Sequence, residues 1–230
     1  MPAPTAAPSA RRAPPDPPGP AANELLRPHI ASALRRLAPV PDAAVAALAD
    51  RSRRVVVDEG GWLLNAGQRA EWCFLITRGL VRELYTDVSG KEHTRSFIRE
   101  GHGTGSLIDL LSGAPAITSI QAIEPTECIA WRYADYEAQI LLFPELQVFA
   151  RRQAEALYVL KTRREHEMLA LSAAERYERW LASSGDIDGR VSQREVASYL
   201  GITPEHLSRL RGRRRDAHRK PKADGPSRRK

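Results

Sequence analysis

Residues 191–211 read VSQREVASYLGITPEHLSRLR, a pattern typical of two short helices joined by a glycine turn. Ser192 can cap the first helix, and Gly201 can end it in the left-handed conformation that glycine adopts at little cost. Thr203 can cap a second helix that has Pro204 at its first position. This arrangement predicts a helix-turn-helix, the alternative being an ordinary helical hairpin.

The second helix of this motif would bury Leu207 and Leu210 and leave Glu205 and Arg209 facing outward. A helix in this position enters the DNA major groove, where arginine can bind guanine O6 and N7 and glutamate can accept from cytosine N4. We therefore predict Glu205 and Arg209 as base contacts; otherwise they would be a helix-dipole acid and a solvated charge. Residues predicted to contact the DNA backbone or to support the motif are Gln193, Thr203, Ser208, Arg211 and Arg213.

The sequence before this motif changes character twice. Residues 24–50 carry apolar side chains at helical spacing, and Pro39 and Pro41 divide them into two short helices. From residue 53 to residue 131, β-rich runs alternate with glycine turns, which indicates a small antiparallel barrel or sandwich. Residues 144–183 contain no glycine and no proline after the first position, which predicts one long helix or two in succession.

The predicted long helix carries a stripe with alternating steps of four and three, the spacing of a coiled-coil seam. We predict self-association through this stripe, the alternative being that the helix packs on its own domain. The seam residues are Leu146, Ala150, Gln153, Leu157, Leu160, Arg164, Glu167 and Leu171.

The charge of the chain is concentrated at its end. The 230 residues include 35 Lys or Arg and 28 Asp or Glu, a formal net charge of +7. Residues 211–230 hold ten Lys or Arg and two acids, a net of +8, so residues 1–210 sum to −1.

Cys73 and Cys128 lack the spacing of a disulfide framework or metal site, and we predict buried thiols. A membrane-spanning run and a signal peptide are not found, so we expect a cytoplasmic protein with no membrane partner.

Two stretches resemble the CRP/FNR family of bacterial transcription regulators: AERY at residues 174–177 and ASYLGITPEHLSR at residues 197–209. The first resembles the start of the family's DNA-binding domain and the second its helix-turn-helix, and the likeness extends over about residues 24–212. The resemblance implies a cyclic-nucleotide-binding-like β-roll followed by a dimerisation helix. It also implies that Glu205 and Arg209 read bases, with Ser208 between them.

The predicted sensor departs from the family's pattern for cyclic nucleotides. Members that bind one hold the ribose with a Gly-Glu pair and the phosphate with Arg-Ser or Arg-Thr. The corresponding residues here are Gly105 and Ser106, then Ile117 and Thr118, and no arginine lies between residues 104 and 128. A cyclic phosphate needs a cation or a cluster of donors. We therefore expect an unknown effector other than cyclic AMP, in a pocket lined by these four residues.

Other ligand sites of the family are not indicated here. The N-terminal cysteine cluster that holds an iron-sulfur centre is absent, and His93 and His102 are haem-ligand candidates by residue type alone. After the helix-turn-helix, family members often form a β-hairpin wing, but residues 211–220 read RGRRRDAHRK. We predict that a disordered basic tail, residues 213–230, binds phosphates in place of the wing.

These features predict an α+β fold with a jelly-roll-like antiparallel β-roll sensor, a long dimerisation helix and a helix-turn-helix. The expected domains are a disordered Pro/Ala-rich tail at 1–22, the cyclic-nucleotide-binding-like β-roll with flanking helices at 23–142, the dimerisation helix at 143–172, the helix-turn-helix domain at 173–212 and the basic tail at 213–230.

The expected function is that of a non-enzymatic transcription regulator that binds double-stranded DNA as a homodimer at a near-palindromic operator. RNA polymerase is a further partner if the protein is an activator. No catalytic residue, metal ligand or cofactor is identified in the sequence.

Two other interpretations stay open. A cupin-like metal-dependent enzyme would need a His-x-His cluster with a later histidine, which His93 and His102 do not supply. An effector-binding regulatory module of some other assembly would have no need of residues 191–211.

Overall fold

The computed structural model describes residues 23–219. The predicted tail at 1–22 and the last eleven residues of the predicted basic tail, 220–230, lie outside the described residues. Helices α1 (Arg27–Arg35) and α2 (Asp42–Ala49) come first, separated at the two prolines as the sequence predicts.

Eight strands follow in two antiparallel sheets of four. They are β1 (Arg53–Val57), β2 (Trp62–Leu64), β3 (Trp72–Arg78), β4 (Val81–Thr86), β5 (Glu92–Ile98), β6 (Gly103–Thr104), β7 (Ser119–Ala122) and β8 (Thr126–Arg132). The strand orders are β1-β8-β3-β6 and β2-β7-β4-β5. This arrangement confirms the predicted antiparallel β-roll, whereas the short strands β2 and β6 were not predicted from the sequence.

The central strands of the first sheet are buried on both faces. Phe74 of β3 and Cys128 of β8 point into the space between the sheets, where they pack with Ile120. Leu75 and Ile129, their neighbours in sequence, point the other way and pack against α1 and α2. Because strand side chains alternate between faces, two covered faces require the nearly continuous apolar runs seen in these strands.

Helices dominate the second half of the chain. After the short helix α3 (Leu107–Ser112) between β6 and β7, they are α4 (Tyr133–Leu142), α5 (Pro144–Ala170), α6 (Ala173–Ser183), a 3₁₀ turn (Gly185–Gly189), α7 (Gln193–Leu200) and α8 (Pro204–Arg219). The predicted helical stretch 144–183 is therefore α5 and α6, while α3 and α4 were not predicted.

The helix α8 is longer than the sequence suggests. Its 16 residues end at Arg219, so residues 213–219, predicted as disordered tail, continue the helix. The disorder predicted to begin at residue 213 is therefore wrong for residues 213–219, which are helical. An ion pair of Arg214, described below, connects this extension to the rest of its domain.

The predicted seam of α5 faces mainly its own chain. Leu146 is fully buried in the cluster shared with α1, α2 and α4. Gln153 and Leu157 are half-buried, and the amide nitrogen of Gln153 lies close to β6. The spacing identifies a face of α5 that is packed against other residues. Most of that face packs within its own domain and not against a second copy.

Candidate functional site

The helix-turn-helix consists of α7 and α8, joined by a short turn. Ser192 and Glu195 form a capping box at the start of α7, in which each side chain accepts a hydrogen bond from the other's backbone N–H. Gly201 ends α7 in the left-handed region, at φ +68° and ψ 36°. The Thr203 hydroxyl caps α8 by accepting from the N–H of His206 at 3.2 Å. All three signals were read from the sequence.

The outward face of α8 carries the predicted base contacts. Glu205 and Arg209 are exposed one helical turn apart, while Leu207 and Leu210 are buried on the opposite side. Hydrogen bonds from its own backbone N–H and from the Thr203 hydroxyl lower the pKa of Glu205. The carboxylate is therefore an ionised hydrogen-bond acceptor at neutral pH.

The five arginines of α8 whose side chains are described fall into two groups. Arg211 Nη2 lies 3.1 Å from Asp188 Oδ1, and Arg214 Nη1 lies 3.7 Å from Glu178 Oε2, so both hold α8 against its own domain. The other three are exposed and form no ion pair with any side chain of residues 23–215: Arg209, Arg213 and Arg215. Arg209 and Arg213 extend the stripe that begins at Glu205 in steps of four.

The remaining predicted contact residues lie around the same surface. Gln193 is exposed at the first position of α7, Thr203 is exposed at the turn, and Ser208 is exposed on α8. Arg211 differs from them because its side chain is only 23% exposed and is engaged by Asp188. The ion pair holds Arg211 against its own domain, and which of its two predicted roles it has stays a prediction.

The helix-turn-helix packs on an edge strand of the sensor. The strand β5 is the outer strand of its sheet, and α7 lies along it. The Thr94 N–H donates to Ser198 Oγ at 2.8 Å, and the same hydroxyl donates to the Glu92 carbonyl at 3.2 Å. Because an edge strand leaves such groups unpaired, Ser198 satisfies one donor and one acceptor of β5.

An ion-pair cluster lies at one end of this contact. Arg190, just after the 3₁₀ turn, donates to the two carboxylate oxygens of Glu100 at 2.7 and 3.1 Å. It also donates to Glu124 of the sensor and, at 3.0 Å, to Asp186. Hydrogen bonds to Glu124 and Glu100 raise the pKa of Arg190, and the bond from Arg190 lowers the pKa of Glu100. These four residues are termed the Arg190 cluster.

An aromatic cluster lies between the sensor and the helix-turn-helix domain. The ring of Phe97 in β5 has its centroid 5.5 Å from that of Trp180 and 5.6 Å from that of Tyr199. The Trp180 and Tyr199 rings are 5.1 Å apart. From α5, the guanidinium of Arg164 stacks 4.0 Å from the Tyr199 ring and donates to its backbone carbonyl. Sensor, long helix and helix-turn-helix therefore meet at these rings.

Residues 105–118, the segment predicted to line the effector pocket, are here termed the cassette. The two ends of the cassette contact each other. Ser106 and Thr118 are buried with their hydroxyls 2.8 Å apart, and the Ile117 side chain is 55% exposed. A Cβ at Gly105 would lie 3.3 Å from a backbone oxygen of β3. Asp109, which the sequence did not single out, is 3% exposed. Its two carboxylate oxygens accept the backbone N–H groups of Ile117 and Thr118, each at 3.2 Å.

The outer side of α5 forms an open groove with the end of α1. The groove has a volume of about 590 Å³. Val159 and Leu160 are 46% and 60% exposed there, and Ala156, Val159 and Arg163 follow helical steps of three and four. Only Leu160 also belongs to the seam predicted from the sequence. The charged residues of the groove are Arg36, Arg152, Glu155 and Arg163.

The two histidines considered as haem ligands and the two cysteines lie outside the helix-turn-helix. His93 Nε2 is 2.8 Å from Asp87 Oδ2 in the β4–β5 hairpin, and His102 Nδ1 lies 3.0 Å from a backbone carbonyl. Burial raises the pKa of Cys73 and Cys128 to about 12. In residues 23–219, no group of three or more His, Cys, Asp or Glu side chains is arranged to hold a metal ion. No helix of that range is both long and apolar enough to cross a membrane.

Comparison with known proteins gives one curated relative and several structural neighbours. The transcriptional regulatory protein btr of Bordetella pertussis is 27% identical over 172 residues, 68% of this chain and 69% of that protein. No family model matches the chain.

The solved structures share the fold at low sequence identity. FixK2 of Bradyrhizobium japonicum is 18% identical with a TM-score of 0.62, over 76% of this chain and 89% of its own. A CooA mutant of Carboxydothermus hydrogenoformans is 18% identical with a TM-score of 0.59, over 76% and 81%. The c-di-GMP responsive regulator CLP of Xanthomonas campestris is 16% identical with a TM-score of 0.59, over 77% and 93%. These are CRP/FNR regulators, so the fold that the resemblance predicts is confirmed.

Proposed function

We propose that the protein is a CRP/FNR-type transcription regulator that binds double-stranded DNA as a homodimer through α8. The observation that carries this proposal is the exposed stripe of α8. There Glu205, Arg209 and Arg213 face solvent, while Arg211 and Arg214 are engaged within the domain. Arg209 and Arg213 form no ion pair with any side chain of residues 23–215, so both guanidinium groups are free to contact DNA.

The stripe divides into groups with different tasks. Arg209 donates two hydrogen bonds to guanine O6 and N7, and the ionised Glu205 accepts from cytosine N4. Arg213, two turns after Glu205, contacts a backbone phosphate, as do Gln193, Thr203 and Ser208 around the helix-turn-helix. Arg211 supports the motif through Asp188. Specificity therefore resides at the start of α8, and the basic residues that follow add affinity.

The groove on α5 is the proposed dimer interface, and its occupant is a second copy of the chain. Val159 and Leu160 are exposed apolar residues on a 27-residue helix, and a symmetric partner would cover them with the same two residues of its own helix. A two-fold dimer places two recognition helices about one DNA turn apart, so the operator is a near-palindrome with half-sites roughly 10 base pairs between centres. RNA polymerase is a partner if the regulator is an activator, and the cytoplasm is its place of action.

The test of this function uses the purified full-length protein. Fragments that it retains from genomic DNA define the site, and binding to single-base variants of that site is then titrated. Arg209→Ala is expected to reduce the preference at one base pair of each half-site by about 5- to 150-fold, the equivalent of roughly 1–3 kcal/mol.

The matched control is Arg213→Ala, one turn further along the same stripe. It is expected to weaken binding to all sequences and to reduce the slope of log K against log salt by about 0.9 per subunit, with base preference intact. An Arg209→Ala protein with unchanged base preference would show that Arg209 does not read DNA. Failure to retain any fragment above a non-specific background would remove the function itself.

A further inference from the structure

We infer that the Asp109 carboxylate occupies a backbone donor site in the cassette. Without this carboxylate, the same donors would bind an oxyanion such as a phosphate group. The inference concerns the sensor alone and does not depend on DNA binding.

The geometry of the cassette is that of an occupied anion site. The two Asp109 oxygens each accept one backbone N–H, from Ile117 and from Thr118, at 3.2 Å. Burial alone would raise the pKa of Asp109, but the hydrogen bonds that its carboxylate accepts outweigh burial and hold the pKa below its ordinary value. Consecutive backbone N–H groups that converge on one point are a recurring way of binding anions.

Asp109 is buried, so hydrogen-bond donors must replace the hydration that its carboxylate has lost. The residue is 3% exposed and makes no ion pair with any described side chain of residues 23–215. An ionised carboxylate in such a place is tolerated only where donors replace the lost hydration. The N–H groups and hydroxyls of the cassette therefore serve the carboxylate in the way that they would serve a bound oxyanion.

The consequence is exclusion of anionic ligands. A phosphate at the Ile117 and Thr118 N–H groups would share those donors with Asp109 and would lie against a like charge in a poorly solvated site. The cassette is therefore closed to a cyclic phosphate even though its backbone donors are in place. Removing the carboxylate should open the site to a small anion added from outside.

The experiment is chemical rescue of Asp109→Ala by formate, the smallest carboxylate. Thermal unfolding of the full-length variant and wild type is followed in sodium formate and in sodium chloride of equal ionic strength. Formate is expected to raise the Tm of the variant in proportion to the logarithm of its concentration and to leave wild type at its chloride value. Asp135→Ala is the matched control, because Asp135 is likewise the third residue of its helix. It should show no rescue.

A second variant keeps the test decisive if Asp109→Ala does not fold. Asp109→Asn preserves size but presents one acceptor oxygen and one NH₂ group, so one of the two backbone N–H groups loses its partner. Hydrogen exchange at Ile117 or Thr118 is expected to accelerate roughly tenfold, without rescue by formate. Inorganic phosphate should not protect these amides in wild type.

Three results would overturn the inference. One is stabilisation of wild type by phosphate with protection of the Ile117 and Thr118 amides. Another is equal stabilisation of wild type and Asp109→Ala by formate. The third is unchanged exchange of both amides in Asp109→Asn.

Discussion

Replacing Arg190 with alanine is expected to loosen the helix-turn-helix domain from the sensor. The guanidinium makes paired hydrogen bonds to Glu100 and to Glu124, both in the sensor, and bonds Asp186 on its own side. Its side chain is 21% exposed and those of its sensor partners are 40% and 32% exposed. Exposed ion pairs contribute about 0–1 kcal/mol each, and two-pronged arginine pairs lie at the upper end. The expected loss is about 2 kcal/mol of docking free energy.

The backbone amide of Thr94 is the reporter for this loss. Its N–H donates across the domain boundary to Ser198 Oγ, so it exchanges with solvent only when the two parts separate. A loss of about 2 kcal/mol raises the separated population roughly 30-fold, at 1.4 kcal/mol for each factor of ten. Hydrogen exchange at Thr94, measured by NMR or by mass spectrometry of the β5 peptide, should accelerate by about that factor in Arg190→Ala.

The controls separate docking from a general loss of charge. Arg190→Lys keeps the charge but not the planar fork and should fall between alanine and wild type. Arg54→Ala breaks an ion pair to Glu127 inside the first sheet and should leave Thr94 unaffected. An Arg190→Ala protein whose Thr94 amide exchanges at the wild-type rate would refute the view that this cluster holds the domains together.

The same cluster predicts how docking depends on pH. The pKa of Glu100, on the sensor side of the contact, is lowered chiefly by the hydrogen bond from Arg190. A carboxyl whose folded pKa is lowered stabilises the docked form above its ordinary pKa, about 4, and loses that contribution as the pH falls through the lowered value. Thr94 protection should therefore decline below about pH 4 in wild type, and the difference from Arg190→Ala should shrink there.

Three further variants test other parts of the structure. The double variant Val159→Asp, Leu160→Asp places two carboxylates in the α5 groove and should sediment as a monomer instead of a dimer. The control Leu141→Asp, at a position 81% exposed on α4, should stay dimeric. A double variant that stayed dimeric would exclude the groove as the interface. Gly201→Ala must adopt φ +68° and places a Cβ 2.7 Å from the flexible end of Met168. Urea unfolding should therefore show that the free energy of unfolding falls by about 1–2 kcal/mol, and by less in Gly201→Asn. Equal stability of the alanine and wild-type proteins would contradict this. Removing residues 220–230, which carry a net charge of +4 and leave α8 intact, should weaken binding to all DNA sequences alike, and an unchanged salt dependence would rule out a phosphate contact by this segment.

Local signals made the helix-turn-helix predictable from the sequence. Ser192, Gly201 and Thr203 act on backbone groups within four residues of themselves, so their roles need no knowledge of the rest of the chain. The β-rich runs separated by glycine turns between residues 53 and 131 are local in the same sense, and they indicated the β-roll before any pairing was known.

Contacts between distant segments set the limits of that prediction. Arg190 meets partners 66 and 90 residues away, and the buried Asp109 carboxylate is satisfied by backbone N–H groups eight and nine residues further along the chain. The stripe on α5 shows an apolar face without saying whether its own domain or another copy covers it.

The extension of α8 likewise depends on a tertiary effect. Gly212 costs a helix about 1 kcal/mol relative to alanine, and the following basic run looked like tail. The ion pairs of Arg211 with Asp188 and of Arg214 with Glu178 offset that cost from outside the helix. Their acidic partners lie more than twenty residues earlier, where no local pattern connects them.

The aromatic cluster gives the molecule an optical signal of its own. Of the four tryptophans, Trp62, Trp72 and Trp131 lie in strands of the sensor, and Trp180 is in α6, 5% exposed between Phe97 and Tyr199. Separation of the two parts would expose the indole to water and move its fluorescence emission to longer wavelength. A chain with the three sensor tryptophans changed to phenylalanine would report domain separation in real time, without an attached dye.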